Sequence, residues 1–178
     1  TGDRKFPEWC GVMSMLSLLT AKVLFNLGHA GEARRWWATA QSAADRSGDP
    51  KFSLTVAGEG LIRALYAERP TQVVLAKADE VLGRYPAVPC SGLTSVHSAR
   101  AQALVREGRT DEAIAAIRDI RAVADKLPDS VIKNRESLFG WGEDRLLYTT
   151  AWVHAYAGRA KAADENARRA TAALPAND

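Results

Sequence analysis

The sequence is poor in the residues that carry most metal and nucleophilic chemistry. Its 178 residues include two cysteines, Cys10 and Cys90, and three histidines, His29, His97 and His154. Two cysteines cannot build a disulfide framework, and both are read as buried thiols rather than a redox pair. No histidine has a second histidine or cysteine at metal-ligand spacing, so all three are expected to be structural, His29 in a turn and His154 on a helix packing face. A charge excess of one sign is also missing. Lys and Arg total 24 against 21 Asp and Glu, a net charge of +3, which excludes the basic footprint of a dedicated nucleic-acid binder. No specific nucleic-acid binding by this chain is expected.

Long apolar runs are absent too. The longest stretch free of both charged residues and histidine, 9–21, has 13 residues, short of the ~20 that span a membrane. Arg4 and Lys5 precede it in the manner of a signal peptide, but Asp3 and Glu8 dilute the basic region, and no small-x-small cleavage site follows before Lys22. A buried helix, no membrane partner and a cytoplasmic location are expected. The chain opens at Thr1 without methionine, which reads as a piece of a longer protein. Gly58-Glu59-Gly60 lacks the third glycine and the preceding strand of a phosphate loop. Glu143 and Asp144 are explained by the dipole of a helix start. With no base–nucleophile or metal set, no enzyme activity and no cofactor are expected.

Helix formers are plentiful. There are 32 alanines, and 17 of the basic residues are arginine, both favourable in helices. Hydrophobic residues make up 47% and charged residues 25%, a globular rather than disordered balance. Four times an apolar-periodic stretch meets a short break and a second stretch. The breaks are Gly28-His29-Ala30-Gly31-Glu32, Arg69-Pro70-Thr71, Gly108-Arg109-Thr110-Asp111-Glu112 and Gly158-Arg159-Ala160-Lys161-Ala162. Gly28, Gly108 and Gly158 are predicted to turn left-handed at a helix end, where glycine has no Cβ to clash. Thr110 is expected to cap the following helix, Asp49-Pro50 to open another, and Pro70 to sit in a first helical turn. Pro86, Pro128 and Pro175 are expected to close second helices. Ala33, Trp37, Ala40 and Ala44 share one helix face, as do Ala113, Ile117, Ile120 and Ala124, and Ala163, Ala167, Ala170 and Leu174. Nothing alternates with period two. The fold class read from the pattern is all-α, a single domain of stacked antiparallel helical hairpins over about 8–48, 50–86, 90–128 and 142–175.

A small residue in the turn, an early alanine in the second helix, a bulky residue four on and a closing proline resemble a tetratricopeptide-type repeat. Gly28/Ala33/Trp37/Ala40 and Gly158/Ala163/Ala167/Ala170/Pro175 fit best. Turns taken at Gly28, Arg69, Gly108 and Gly158 lie 41, 39 and 50 residues apart, so the resemblance is to a divergent array, whose fold would be a right-handed solenoid. Ser47-Gly48-Asp49, the run Phe139-Gly140-Trp141-Gly142-Glu143 and the Ala/Arg-rich composition further resemble the C-terminal region of actinobacterial transcription regulators of the Cro/C1 (xenobiotic-response-element) family. There, a tetratricopeptide-like sensor or dimerisation region follows a helix-turn-helix head. That resemblance implies a non-enzymatic ligand-sensing and protein-interaction module with its DNA-binding head elsewhere. A plain adaptor joining proteins, with no effector, is the alternative.

In such an array the first helices line the concave groove. Its candidate residues are Leu18, Lys22 and Asn26; Glu59, Arg63 and Tyr66; Ser98, Gln102 and Arg106; and Tyr148, Trp152 and Tyr156. The last three form one stripe at i, i+4, i+8, either ligand-contacting or packed under a neighbouring helix. Lys22, Arg63 and Arg106 are candidates for an anionic ligand or peptide carboxylate, or are plain surface charges. Leu18 occupies a position of the carboxylate clamp that binds chaperone tails, which disfavours that partner. The expected partners are a peptide, small molecule or protein in the groove, and a possible second copy of the chain.

Overall fold

The computed structural model describes residues 5–133, 137 and 139–174; Asp3, Arg4 and Pro175 lie outside them. The described residues are helical with no strand. In chain order the helices are α1 (Phe6–Asn26), α2 (Ala30–Ser47), α3 (Pro50–Tyr66), α4 (Thr71–Arg84), α5 (Ser91–Arg106), α6 (Thr110–Ala124), the single turn α7 (Asp129–Ile132), α8 (Glu143–Tyr156) and α9 (Ala160–Ala172).

One turn recurs. At Gly28, Gly108 and Gly158 φ is +85°, +75° and +71°. In each, the next residue's N–H reaches back to a carbonyl five residues earlier: His29 to Leu24, Arg109 to Leu104, Arg159 to His154. This is the Schellman closure of a helix C-terminus. The second break uses the same geometry with a different residue. Glu68 has φ +54°, and Arg69 N–H donates to the Ala64 carbonyl. The turn centre is therefore Glu68, not Arg69, and the left-handed residues at 28, 68, 108 and 158 are spaced 40, 40 and 50. The extra ten residues of the last interval fall where α7 and the loop to α8 are inserted.

Two cap expectations are corrected. Thr110 is the first residue of α6, and Arg109 holds the cap position without a side-chain cap bond. The one residue between the left-handed glycine and the helix is Arg109, which takes the cap position and whose guanidinium has no acceptor to offer the helix N–H groups. The Arg109 guanidinium instead reaches Glu112, one turn on, at 2.7 Å. Pro70 is likewise the cap residue of α4 rather than part of its first turn. Asp49 behaves as expected: its carboxylate accepts from Lys51 N–H at 2.9 Å, with Pro50 as the first helical residue.

The helix following each turn packs against the one before it, and α1, α3, α5 and α8 are successive neighbours. α5 is the centre, with twelve of its sixteen residues buried. It approaches α3 closely at two glycines. A Cβ on Gly92 would lie 2.3 Å from the Thr55 nitrogen, and one on Gly58 would lie 2.5 Å from the Gly92 carbonyl oxygen. α4 leans on α5 more than on α3, and Glu107 at the end of α5 accepts from Thr71 and from Gln72 at the start of α4. A cavity of about 370 Å³ bordered by Trp37, Gly60, Val73 and Tyr85 is left between α2, α3 and α4.

Asp45 ties this corner together. It accepts from Ser53 at 2.8 Å and Tyr85 at 2.7 Å and pairs with Arg84 at 3.0 Å. Burial pushes its carboxyl up, but these bonds and that of Gln41 outweigh it and hold the pKa below the usual value.

The alanine faces serve the core where a helix covers them. Ala33, Ala40, Ala44, Ala113, Ala116 and Ile120 are essentially inaccessible. The matching face of α9 is not: no residue of α9 is buried, and Leu174 is exposed. The expectation of a buried helix at the N-terminus also needs correction. α1 is the described helix long and apolar enough to cross a membrane by length and composition, and only 33% of its most apolar window is buried. Cys10 and Cys90 are free and buried; Cys90 caps α5, its sulfur accepting from Leu93 N–H.

Candidate functional site

A groove of about 800 Å³ runs between α3, α5, α8 and α9, a size that suits a small organic ligand. Helical spacing puts Arg145, Tyr148, Thr149 and Trp152 of α8 on its wall, with Trp141 just before the helix. Trp141 is 4% exposed, and its backbone N–H donates to the Val131 carbonyl, which fixes the loop to α7. Opposite stand Glu59, Ile62 and Tyr66 from α3, and Ser95, Ser98 and Gln102 from α5. The uncovered face of α9, including Ala163, Ala167, Ala170 and Leu174, extends the apolar floor. The aromatic stripe of α8 is stacked on itself: Trp152 and Tyr156 are 5.2 Å apart at 24°, and Tyr148 and Trp152 are 6.1 Å apart and tilted. Tyr148 and Tyr66 bring their hydroxyls to 3.4 Å across the mouth. Burial, then that contact, pushes the Tyr148 pKa up to about 12, so its hydroxyl stays protonated.

The sequence-derived positions divide three ways. Glu59, Tyr66, Ser98, Gln102, Tyr148 and Trp152 meet at this groove. Arg106 and Tyr156 border a smaller adjoining cavity of about 210 Å³, which shares Tyr66, Gln102 and Trp152 with the first. Lys22, Asn26 and Arg63 line neither. Lys22 is locked to Glu59 at 2.5 Å, both side chains 16% exposed. Arg63 lies over the Phe25 ring at 5.0 Å and donates to Asn26 at 3.4 Å. Leu18 is fully buried in the core with Ala40, Ala44 and Val56, so it is no groove residue. Trp141 and Arg145 were missed as groove residues; Arg145 continues the stripe of Tyr148 and Trp152 backwards by one turn, and Trp141 lies in the segment ahead of α8.

Electrostatically the groove is balanced. Glu59 is neutralised by Lys22 and Asp164 by Arg168 at 2.6 Å. Asp144 and Arg145 are adjacent and opposite in sign, with the Arg145 guanidinium over Trp141 at 5.8 Å. The polar groups left over are neutral. Gln102 is 4% exposed, and its amide makes no hydrogen bond among the described residues. Ser98 Oγ and the indole nitrogens of Trp141 and Trp152 are buried and unpartnered among the described residues. Each such group costs about 1–3 kcal/mol until a partner is supplied. Among the described residues no group of three or more His, Cys, Asp or Glu side chains is arranged to hold a metal ion.

No protein-family model, curated protein or solved structure matches the chain.

Proposed function

We propose that this chain is the non-enzymatic, ligand-sensing and protein-interaction module of a bacterial transcription regulator acting in the cytoplasm, with a DNA-binding head encoded outside these 178 residues. We infer that its helix pairs form a right-handed, tetratricopeptide-like solenoid of stacked antiparallel hairpins. Support for the architecture comes from one turn geometry recurring at 28, 68, 108 and 158 and from first helices that neighbour one another in series.

The observation that carries the sensing reading is Gln102. A side chain this buried, with a donor and an acceptor both unused, borders two cavities at once. Buried polar groups are normally hydrogen-bonded, and Ser98 Oγ and the Trp152 indole nitrogen, which line the same groove, are buried without a partner among the described residues, so a ligand is the natural partner for this set. The groove carries no net charge excess, with Glu59 and Asp164 ion-paired and Asp144 offset by Arg145, which favours an uncharged ligand over an ion that must be desolvated. Trp152, Tyr148 and Tyr156 offer stacking area. The ligand class is thus a flat, uncharged aromatic molecule with an amide-like edge set against Gln102. Touching α3, α5 and α8 together, it braces three helix pairs, and in a solenoid small changes between neighbours add along the stack.

The test is a thermal-shift screen of neutral aromatic lactams against aromatic carboxylates of equal size, repeated on Trp152→Ala. Stabilisation by lactams that Trp152→Ala abolishes supports the reading. Preference for carboxylates, or equal shifts on the variant, contradicts it. The regulator assignment is tested in the gene: a helix-turn-helix encoded ahead of Thr1 supports it, and an unrelated segment there favours the adaptor.

A further inference from the structure

The outer face of α1 is apolar, exposed and regular. Phe6, Trp9, Met13, Leu16, Thr20, Val23 and Leu27 follow one another at alternating steps of three and four residues. All but Thr20 are more than half exposed, from 52% for Met13 to 67% for Leu27. Alternating three–four spacing is the a/d seam of a coiled coil, and three heptads of it carry no charged side chain. Val12, 51% exposed, flanks the seam. At roughly 100 Å² each, the seven exposed apolar side chains present about 700 Å², beyond the few hundred typical of a monomer's surface and close to the ~800 Å² per partner of a stable interface.

A second feature lies beside the seam. Trp9 stands out from α1, and next to it a hollow of about 570 Å³ opens between α1 and α2, floored by Ala38, Ser42 and Ala43. Knob and hole share one surface. A two-fold axis needs that arrangement, because each copy must offer what the other receives.

We propose that the chain forms a homodimer through α1, the two seams packed in parallel about a two-fold axis, with Trp9 and the hollow beside it inside the contact. In a parallel pair every seam residue meets its own counterpart, so the apolar run is covered from Phe6 to Leu27. The uncharged seam sets no like charges against each other. This proposal does not depend on the groove ligand.

The 178-residue chain is tested by size-exclusion chromatography with light scattering across 1–100 µM, a range chosen to bracket affinities of roughly micromolar strength. The expected mass is twice 19.3 kDa, falling to the single value in Leu16→Glu and in Trp9→Gln. Both positions are exposed, so their circular dichroism should match the parent. A monomeric parent at the highest concentration overturns the proposal, and so does a monomer that floats with phosphatidylcholine vesicles, which would assign the face to lipid. Unchanged dimerisation in both variants overturns it as well. Orientation is read from Val23→Cys under mild oxidation: a cross-linked dimer is expected, and a dimer that does not cross-link there overturns the parallel register.

Discussion

Replacing Glu68 with glycine should make the protein more stable, although it removes a charged side chain and adds no contact. Glu68 is the only non-glycine described residue with positive φ, at +54°. It stands where three sister turns carry glycine, and its backbone bonds match theirs, with Glu68 N–H to the Leu65 carbonyl and Arg69 N–H to the Ala64 carbonyl. A side chain in the left-handed region costs about 1–2 kcal/mol. Glycine returns roughly 0.5–1 kcal/mol of that as extra freedom in the unfolded chain. The side chain is exposed and forms no hydrogen bond or ion pair among the described residues, so little else is lost. A net gain of about 0.5–1 kcal/mol follows, which is a rise in Tm of about 1–4 °C for a chain of this size. Gly108→Ala is the mirror control. A Cβ there meets nothing within 4 Å, so any loss of stability is backbone strain alone. Urea denaturation followed by circular dichroism, with m unchanged, measures both. A fall in stability for Glu68→Gly, or none for Gly108→Ala, would refute the claim that one left-handed turn recurs at all four positions.

Two further outcomes follow from the packing and the titration of buried groups. Gly92→Ala should cost about 3 kcal/mol or more, since its Cβ would strike the α3 backbone at Thr55 and backbone cannot step aside as a side chain can; calorimetry showing a loss under 1 kcal/mol would place α3 and α5 further apart. Burial holds the His97 imidazole neutral and its pKa below the ordinary value of 6.5, so the unfolded chain takes up the proton first. The stability this contributes is full above about pH 6.5 and is lost as the pH falls towards the folded value. His97→Gln should flatten urea midpoints measured between pH 7 and 5, and an unchanged slope would contradict the assignment.

Much of the fold was legible because its turns are written in glycine. Gly28, Gly108 and Gly158 announce a left-handed backbone by composition, and the alanine faces of α2 and α6 announce close helix packing. Glu68 escaped because tertiary packing enforces there a conformation its own chemistry disfavours, which moved the second turn by one residue. Thr110 misled because the single residue this turn leaves outside the helix is Arg109, which takes the cap position one residue ahead of it. At the site, helical spacing brought Tyr148, Trp152, Gln102 and Tyr66 to one groove. The cations Lys22 and Arg63 were misjudged because sequence spacing is blind to partners on the next helix. Glu59 is 37 residues from Lys22 and bonds to it directly. Trp141 lies ahead of its helix, where periodicity stops reporting. The exposed seam of α1 was present in the sequence as a three–four pattern, but an uncharged run reads as core until its outer face is seen to have no neighbour.

Gln102 is proposed to read an uncharged, amide-edged ligand in the groove, and isothermal titration with the bicyclic lactam carbostyril puts that reading to the test. Saturable binding of carbostyril is expected. Losing a two-bond amide contact should weaken it at least about tenfold in Gln102→Leu, and N-methylation of the probe should weaken it as much on the parent protein. Carbostyril and N-methylcarbostyril binding with equal affinity, or quinaldate binding more tightly than either, would contradict it.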